Sequence, residues 1–185
     1  MKKAVIFDRD GTLIIDKVYL NDPSKIEYLP GCFEALKQLR DRGFVFAVAT
    51  NQSGLAKGIV QIRNMDLIHE KMSHDFARHG VFFLGFYYAP FSTDSLHPRR
   101  KPGPGMIDDA ARDHGLDLRQ SWMIGDRMTD IEAGARAGVR SILLEGVETP
   151  DRYPHFARPF CVAKNLLEVA QVISAFEISN SIVQK

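Results

Sequence analysis

Two aspartates, Asp8 and Asp10, follow a short apolar run near the start of the chain and directly precede Gly11. The run from Ala4 to Phe7 is typical of a buried strand, which predicts that Asp8 lies at a strand's carboxyl end, where open α/β sheets bind ligands. Residues two apart on a strand point the same way, and a glycine permits a sharp turn afterwards. Both carboxylates can therefore face one cleft, an arrangement typical of phosphoryl transfer. An Asp-x-Asp-Gly segment alone is equally compatible with a turn that closes a strand.

Three further segments carry groups that phosphoryl transfer uses. They are Thr50-Asn51-Gln52-Ser53-Gly54 after a strand-like run, Arg100-Lys101-Pro102 before a helical pattern, and Gly125-Asp126-Arg127-Met128-Thr129-Asp130 after another strand-like run. With the first segment they resemble, in content and order, the motifs of the haloacid dehalogenase-like phosphatases, whose first motif is Asp-x-Asp-Gly-Thr. A narrower similarity, to the branch that contains heptose-bisphosphate and histidinol-phosphate phosphatases, lies in Asp-Arg-Asp-Gly-Thr, Thr-Asn-Gln-Ser-Gly and Arg-Lys-Pro.

The predicted strand ends bring four carboxylates together, those of Asp8, Asp10, Asp126 and Asp130. Two like charges about 4 Å apart repel by roughly 4 kcal/mol at an effective dielectric constant near 20, so the cluster requires a cation. Oxygen ligands shared with a phosphate suit Mg²⁺ better than zinc. The resemblance implies that the side chains of Asp8 and Asp126 and the carbonyl of Asp10 hold the metal. Asp130 is expected behind these ligands, where it orients a bound water or Lys101, or favours the N-terminus of its helix.

Five residues have expected roles at the reacting phosphate. With the charge neutralised, Asp8 attacks phosphorus and forms an aspartyl-phosphate, while Asp10 donates a proton to the leaving alcohol and later takes one from water. The phosphoryl oxygens need positive charge and hydrogen-bond donors, which Lys101, the Thr50 hydroxyl and the Asn51 backbone N–H supply.

Three arginines lie within these segments, and two of them are assigned to the substrate. Arg100 and Arg127 are expected to face its non-reacting part, because a guanidinium binds a second phosphate through two hydrogen bonds. This assignment favours a sugar bisphosphate. Arg9 lies between the two acids and is expected, from strand alternation, to point away from them, so it is left out of the site.

The resemblance implies a particular substrate, a heptose 1,7-bisphosphate that loses its 7-phosphate on the route to nucleotide-activated heptose for lipopolysaccharide or other surface glycans. The segment Gln52-Ser53-Gly54-Leu55-Ala56 continues in the manner of that subfamily, and Asp16 and Tyr19 stand where its sugar contacts begin. The substrate-binding set therefore includes Asp16, Tyr19, Gln52 and Ser53.

One departure from the branch concerns zinc. Its members carry a loop with Cys-x-His and paired cysteines before Arg-Lys-Pro, whereas residues 89–99 contain no cysteine and one histidine, His97. A tetrahedral zinc site needs four ligands. We therefore expect Mg²⁺ as the cofactor and no zinc.

Two alternative functions remain open. A histidinol-phosphate phosphatase of histidine biosynthesis takes a substrate with an amine and an imidazole, which Asp94 favours and which Arg100 and Arg127 disfavour. A phospho-accepting signalling or binding module, as in receiver domains, also joins a strand-end aspartate, Mg²⁺ and a lysine. Asp10 argues against that module, because an acid/base group beside the nucleophile speeds hydrolysis of the acyl phosphate.

The elements that must position these residues alternate between apolar strands and amphipathic helices, which predicts a parallel sheet covered on both faces. With the resemblance, the expected fold class is α/β, a Rossmann-like three-layer α/β/α sandwich with a mainly parallel sheet. Only one predicted helix separates the first motif from the second strand, so no large lid fits there and a capless form is expected. The pocket is then built by short loops at Asp16 to Lys25, Gly54 to Gln61 and Ala89 to Arg100.

Helix ends are predicted from capping residues. Thr129 is the expected N-cap of the helix after Asp126, with Glu132 completing a capping box, and Gly138 is the expected left-handed residue beyond its end. A last helix is predicted from a cap at Asn165 through Ala175, followed by a loosely held, flexible tail at 178–185.

The composition is that of one soluble globular domain, with 185 residues, 45% apolar residues and a net charge of +1. This balance gives no reason to expect binding to nucleic acid or to a membrane surface. No apolar run approaches the roughly 20 residues that span a bilayer, and Met1-Lys2-Lys3 leads into a strand rather than a signal peptide. We expect a single phosphatase domain over residues 1–185, cytoplasmic and monomeric, whose partner is a small phosphorylated sugar.

Overall fold

The computed structural model describes the backbone of residues 1–146 and 148–183 and the side chains up to residue 180. These residues form one six-stranded sheet in which every neighbouring pair of strands is parallel. The strands are β1 (Ala4–Phe7), β2 (Val45–Asn51), β3 (Phe83–Ala89), β4 (Trp122–Gly125), β5 (Arg140–Leu144) and β6 (Cys161–Ala163). Their order across the sheet is β3-β2-β1-β4-β5-β6.

Helices connect the strands. They are α1 (Cys32–Asp41), α2 (Ser53–Ala56), α3 (Ile62–Ala77), α4 (Gly105–His114), α5 (Met128–Ala137) and α6 (Leu166–Val183), with short 3₁₀ turns at Pro23–Lys25, Leu118–Gln120 and Pro150–Arg152. Within the described ranges, none of these helices combines the length and the apolar character needed to cross a membrane.

Alternation along β1 divides the core between the two faces of the sheet. Val5 and Phe7 pack in the cluster that contains the apolar residues of α1, α3 and α6. Ala4 and Ile6 pack in a second cluster, against α4 and α5. Because successive side chains of a strand point to opposite faces, an uninterrupted apolar strand requires cover on both sides. The predicted three-layer α/β/α sandwich is confirmed.

The strand order reverses at β1, which pairs with β2 on one side and with β4 on the other. Such a switch point opens a crevice at the carboxyl ends of the strands. Between β1 and β2 the chain carries one 3₁₀ turn and α1, and between β2 and β3 it carries α2 and α3. These connections leave the crevice without a covering domain, so the capless form is confirmed.

Two helix boundaries differ from the sequence prediction. Thr129 is not an N-cap, because the turn after β4 is short and α5 begins at Met128, with Arg127 at the N-cap position. The predicted end of the last helix at Ala175 is also wrong. α6 continues to Val183, and Phe176, just beyond the predicted end, packs edge-on against Trp122 at 5.3 Å. The flexibility of the tail stays a prediction, and residues 184–185 lie outside the described residues.

Other capping predictions hold. Gly138 has a φ of +81° at the end of α5, as the left-handed position requires. Asn165 Oδ1 accepts the N–H of Glu168 at 3.0 Å, so it caps α6.

Candidate active site

The first two aspartates lie where β1 gives way to a tight turn. The Asp8 N–H donates to the carbonyl of Ile124 at 2.8 Å, which ties the end of β1 to β4. The chain then turns, and Gly11 adopts a φ of +79°. A Cβ at this position would lie 2.4 Å from Asp126 Oδ2. Gly11 is therefore required both by the backbone conformation and by the close approach of the second motif's carboxylate.

Three of the predicted acids form one cluster. Carboxylate oxygens of Asp8, Asp126 and Asp130 all lie within 4.8 Å of one another. Burial, followed by the charges of Asp8 and Asp130, raises the pKa of Asp126 to about 7. Asp126 Oδ1 is buried and has no hydrogen-bond partner among the described residues. An unsatisfied buried carboxylate oxygen within an oxygen-only donor set fits a hard divalent cation such as Mg²⁺.

Lys101 contacts two members of this cluster. Its buried Nζ lies 2.9 Å from Asp8 Oδ1 and 2.6 Å from Asp130 Oδ1, and it donates to the carbonyl of Ala49 at 2.7 Å. Burial lowers the pKa of Lys101, but the Asp130 and Asp8 carboxylates outweigh that effect and raise the pKa above its ordinary value. The lysine is therefore charged at neutral pH.

Asn51 and Asp130 fix the chain around this lysine. The Asn51 side chain exchanges two hydrogen bonds of 3.0 Å with the backbone N–H and carbonyl of Lys101. Asp130 Oδ2 accepts the N–H of Arg127 at 3.0 Å, so Asp130, rather than Thr129, caps the start of α5. Its burial raises the pKa of Asp130. Asp130 thus contacts both Lys101 and the N-terminus of α5, the two partners that the sequence suggested for it.

Gln52 connects Thr50 with Asp10. Its Nε2 donates to Asp10 Oδ2 at 2.8 Å and to Thr50 Oγ1 at 2.9 Å. Because Thr50 Oγ1 accepts this bond, its own hydrogen is available to an acceptor in the cleft. Gln52 was predicted as a substrate ligand, whereas its observed contacts are with these two residues.

The expectation that Arg9 points away from both acids is wrong. Arg9 is 1% exposed, and its Nη2 forms an ion pair with Asp10 Oδ2 at 2.9 Å. Strand alternation does not apply to it, because β1 ends at Phe7 and the Arg9 carbonyl already accepts the N–H groups of Leu13 and Ile14 in the turn. Burial raises the pKa of Asp10, the charge of Arg9 opposes that effect, and Asp8 adds to it.

These groups border a cavity of about 690 Å³. Most of the predicted site residues line it: Asp8, Asp10, Asp16, Tyr19, Thr50, Asn51, Gln52, Ser53, Arg100, Lys101, Arg127 and Asp130. Asp126 reaches the same place through the carboxylate cluster. Two of the three predicted pocket loops supply several lining residues, whereas only Gly54 represents the loop at 54–61.

The two cavity arginines differ in their partners. Arg127 Nη2 lies 3.4 Å from Asp16 Oδ2, and its Nη1 lies 3.8 Å from Glu148 Oε1. Arg100 is half-buried and donates to the carbonyl of Phe91 at 3.3 Å. No carboxylate of the described residues forms an ion pair with Arg100. Its charge is felt by Asp94 without an ion pair, whereas Arg127 has two carboxylates within ion-pair distance, so Arg100 is the more available of the two to an anion.

Glu148 also lines the cavity, and sequence reasoning missed it. Its Oε2 accepts the N–H of Met128 at 2.6 Å, so it helps to cap α5. A signal was present, because Glu148 follows β5, and the carboxyl ends of parallel strands share one edge of the sheet.

The loop at 89–99 is ordered by ring packing and hydrogen bonds. The His97 ring stacks on Phe91 with the centroids 3.9 Å apart, and His97 Nδ1 accepts the N–H of Arg99 at 3.1 Å. These contacts engage the ring face and Nδ1 of the loop's single histidine. That the protein binds no zinc stays a prediction.

Known proteins are similar in sequence to this chain over most of its length. Residues 98–169 match the family model described as HAD-hydrolase-like. D-glycero-beta-D-manno-heptose-1,7-bisphosphate 7-phosphatase of Pasteurella multocida is 36% identical over 150 residues, which cover 78% of this chain and 82% of that protein. D-glycero-alpha-D-manno-heptose-1,7-bisphosphate 7-phosphatase of Photorhabdus laumondii is 30% identical over 178 residues, which cover 92% and 96%.

Solved structures are similar as well. D,D-heptose 1,7-bisphosphate phosphatase from B. bronchiseptica, complexed with magnesium and phosphate, has a TM-score of 0.83 and 30% identity, over 94% of this chain and 98% of that one. A putative HAD-like phosphatase from Mesorhizobium loti has a TM-score of 0.77 and 29% identity, over 96% and 87%.

Proposed function

This chain belongs to the haloacid dehalogenase-like phosphatases, and we propose that it removes the 7-phosphate of a heptose 1,7-bisphosphate through an aspartyl-phosphate on Asp8. One observation carries the proposal: Asp8 and Lys101 lie at a cavity whose lining also presents Arg100 without an ion-pair partner among the described residues. The names of the relatives support the sugar. Because those relatives are phosphatases, the signalling module is set aside.

The nucleophile and the groups that hold the transferring phosphoryl group come from the carboxyl ends of β1 and β2 and from the loop that precedes α4. Asp8 Oδ1 lies against Lys101 Nζ at 2.9 Å, which leaves Oδ2 as the attacking oxygen. Lys101, the Thr50 hydroxyl and the Asn51 N–H place positive charge and donors around the phosphoryl oxygens, where charge accumulates during transfer. Asp130 keeps Lys101 charged and in place.

Asp10 moves the protons in both half-reactions. It gives a proton to the leaving sugar oxygen as the bond to phosphorus breaks, and it takes one from the water that hydrolyses the aspartyl-phosphate. Its side chain is 20% exposed, so it is both held within the protein and open to the cleft. A pKa raised by burial favours the protonated form that the first step needs.

The carboxylate cluster fits Mg²⁺, held by Asp8, Asp126 and the carbonyl of Asp10, with Asp130 behind them. Bound there, the ion would withdraw negative charge from the transferring group. Chelation is expected to abolish phosphate release and added Mg²⁺ to restore it, and elemental analysis is expected to find no stoichiometric zinc. One tightly bound zinc per chain would contradict the cofactor assignment.

The distal phosphate is assigned mainly to Arg100. Arg127 already faces Asp16 and Glu148, which reduces its attraction for a dianion. The same pairing holds two carboxylates at the cavity wall, where they can accept hydrogen bonds from sugar hydroxyls. Tyr19, whose hydroxyl accepts from Lys57 Nζ at 2.7 Å, borders the same part of the cavity.

Histidinol phosphate remains the second candidate substrate, because Asp94, Asp16 and Glu148 line the cavity and favour a cationic group. Phosphate release with Mg²⁺ should be measured on heptose 1,7-bisphosphates of both anomers, heptose 7-phosphate and histidinol phosphate, with Asp8→Asn as the control for contaminating phosphatases. The highest kcat/KM is expected on a heptose 1,7-bisphosphate. A higher value on histidinol phosphate would overturn the substrate assignment and leave the reaction class intact.

A further inference from the structure

Arg9 makes an unusually complete set of contacts with its neighbour Asp10. Nε lies 3.1 Å from Asp10 Oδ2, and Nη2 lies 3.1 Å from Oδ1 and 2.9 Å from Oδ2. The guanidinium thus binds the carboxylate through two of its nitrogens. Side-on contacts of this kind define the orientation of both planar groups, which a single hydrogen bond does not.

His69, on α3, holds the guanidinium from behind. Arg9 Nη1 lies 3.1 Å from His69 Nε2, and an arginine can only donate, so Nε2 is the acceptor and the ring proton is on Nδ1. Burial, together with the charge of Arg9, lowers the pKa of His69 to about 3, which keeps the ring neutral. The ring also stacks on Phe86 with the centroids 4.6 Å apart. Arg9 is therefore fixed at both ends of its guanidinium.

Burying a guanidinium is costly, and an apolar residue of similar volume would fill the same space. The contacts of Arg9 therefore serve something that packing alone does not provide. Asp8 lies two residues away, and its negative charge repels the Asp10 carboxylate. Without the fork that Arg9 Nε and Nη2 form on the carboxylate, that repulsion and free rotation of the side chain would let Asp10 leave its position.

We propose that Arg9 is a positioning residue that, with His69 behind it and Gln52 beside it, holds the Asp10 carboxylate in the orientation from which it passes a proton to the leaving oxygen. Among the described residues, Asp10 Oδ2 accepts from Arg9 and Gln52, whereas Oδ1 has one contact, with Arg9 Nη2. Oδ1 is therefore the oxygen with fewer partners and the one more open to the leaving group. The inference rests on the proposed function, since it assumes that Asp10 is the acid.

The test uses the dependence on the leaving group. A sugar alcohol needs a proton as it leaves, whereas p-nitrophenolate leaves without one. Arg9→Lys keeps the charge and loses the fork, so it is expected to slow single-turnover release of the sugar by about 10- to 100-fold, which is part of the roughly 10²–10⁴-fold that a general acid contributes in full. Release of p-nitrophenol from p-nitrophenyl phosphate should slow less than about threefold, and KM for both substrates should stay within about twofold.

A matched pair at His69 repeats the test without touching the arginine. His69→Leu removes the acceptor and fills the space, and it is expected to slow sugar release about three- to tenfold. His69→Gln restores an acceptor and should return the rate to within about twofold of the parent. Arg63→Lys, an exposed change on α3, is the control for arginine-to-lysine substitution. If Arg9→Lys does not fold, as judged by its circular dichroism, the positioning role is tested by comparing His69→Leu with His69→Gln.

The variant Asp10→Asn distinguishes a failure of the positioning role of Arg9 from a failure of the proposed role of Asp10 as the acid. If it leaves sugar release unchanged, the proposed role of Asp10 fails. If it slows sugar release while Arg9→Lys and His69→Leu do not, the positioning role alone is overturned. Equal losses on both leaving groups would assign Arg9 to the fold and also overturn it. The double variant Arg9→Lys with Asp10→Asn should be no slower than Asp10→Asn, because the fork acts only through that carboxylate.

Discussion

Replacing Arg100 with alanine removes a cavity guanidinium that forms no ion pair within the described part of the chain. One of its N–H groups donates to the Phe91 carbonyl at 3.3 Å, and the others remain for a phosphate. A hydrogen bond to a charged group contributes about 1.5–3 kcal/mol, and about 1.4 kcal/mol corresponds to a tenfold change. The KM for a heptose 1,7-bisphosphate is therefore expected to rise on the order of 10- to 100-fold, with kcat nearly unchanged, because the distal phosphate takes no part in the displacement.

Heptose 7-phosphate lacks the distal phosphate, so the same substitution should change its KM less than about threefold. Arg127→Ala is the matched comparison. It leaves Asp16 and Glu148 without their cation, and these carboxylates would then repel either substrate, so KM should rise similarly for both. Steady-state kinetics of the two variants on the two substrates measure the contrast. An equal loss of kcat/KM on both substrates for Arg100→Ala would refute the reasoning and favour a monophosphatase.

Three further substitutions have expected outcomes. Asp8→Asn should abolish turnover and keep the fold, because the amide is isosteric and cannot attack; release above a few per cent of the parent rate would remove Asp8 as nucleophile. Gly11→Ala should weaken Mg²⁺ activation and cost more stability than Gly58→Ala, because both glycines have a positive φ but only at Gly11 does the added Cβ meet Asp126; equal effects would show that the approach to Asp126 does not matter. Between pH 7 and 5 the parent should lose ~2 kcal/mol more unfolding free energy than His69→Gln, because the unfolded chain protonates His69 below a pKa near 6.5 whereas the folded ring, with a pKa of about 3, stays neutral. Urea denaturation of both proteins at the two pH values measures the difference, and an equal loss in the two would contradict a buried neutral ring.

Strand ends made the core of the site predictable. Asp8, Asn51 and Asp126 each follow or end an apolar run, and parallel strands bring such positions to one edge of the sheet. The structure accordingly places Asp8 and Asp126 in one carboxylate cluster, and Lys101 contacts both Asp8 and Asn51. This inference needs only the type and direction of the strands, which the sequence pattern indicates well.

Arg9 and His69 could not be placed in the same way. The error at Arg9 came from extending strand alternation beyond Phe7, although Gly11 already indicated a turn whose exact start the pattern does not reveal. His69 lies on a helix far along the chain, and its spacing of four residues from Met65 and three from Met72 indicates only a core position. Its contact with Arg9 depends on how α3 packs on the sheet. No local pattern encodes that packing.

The charges of the site, taken together, explain why a divalent cation suits it. Four carboxylates meet here with two buried cations among them: Arg9 pairs with Asp10, and Lys101 contacts Asp130 at 2.6 Å and Asp8 at 2.9 Å. Two formal negative charges remain, and they are concentrated where Asp126 Oδ1 has no hydrogen-bond partner among the described residues. One Mg²⁺ balances that charge and leaves Arg9 and Lys101 in their own pairs. A monovalent ion leaves one charge uncompensated, which would oppose the arrival of a phosphate dianion at Asp8.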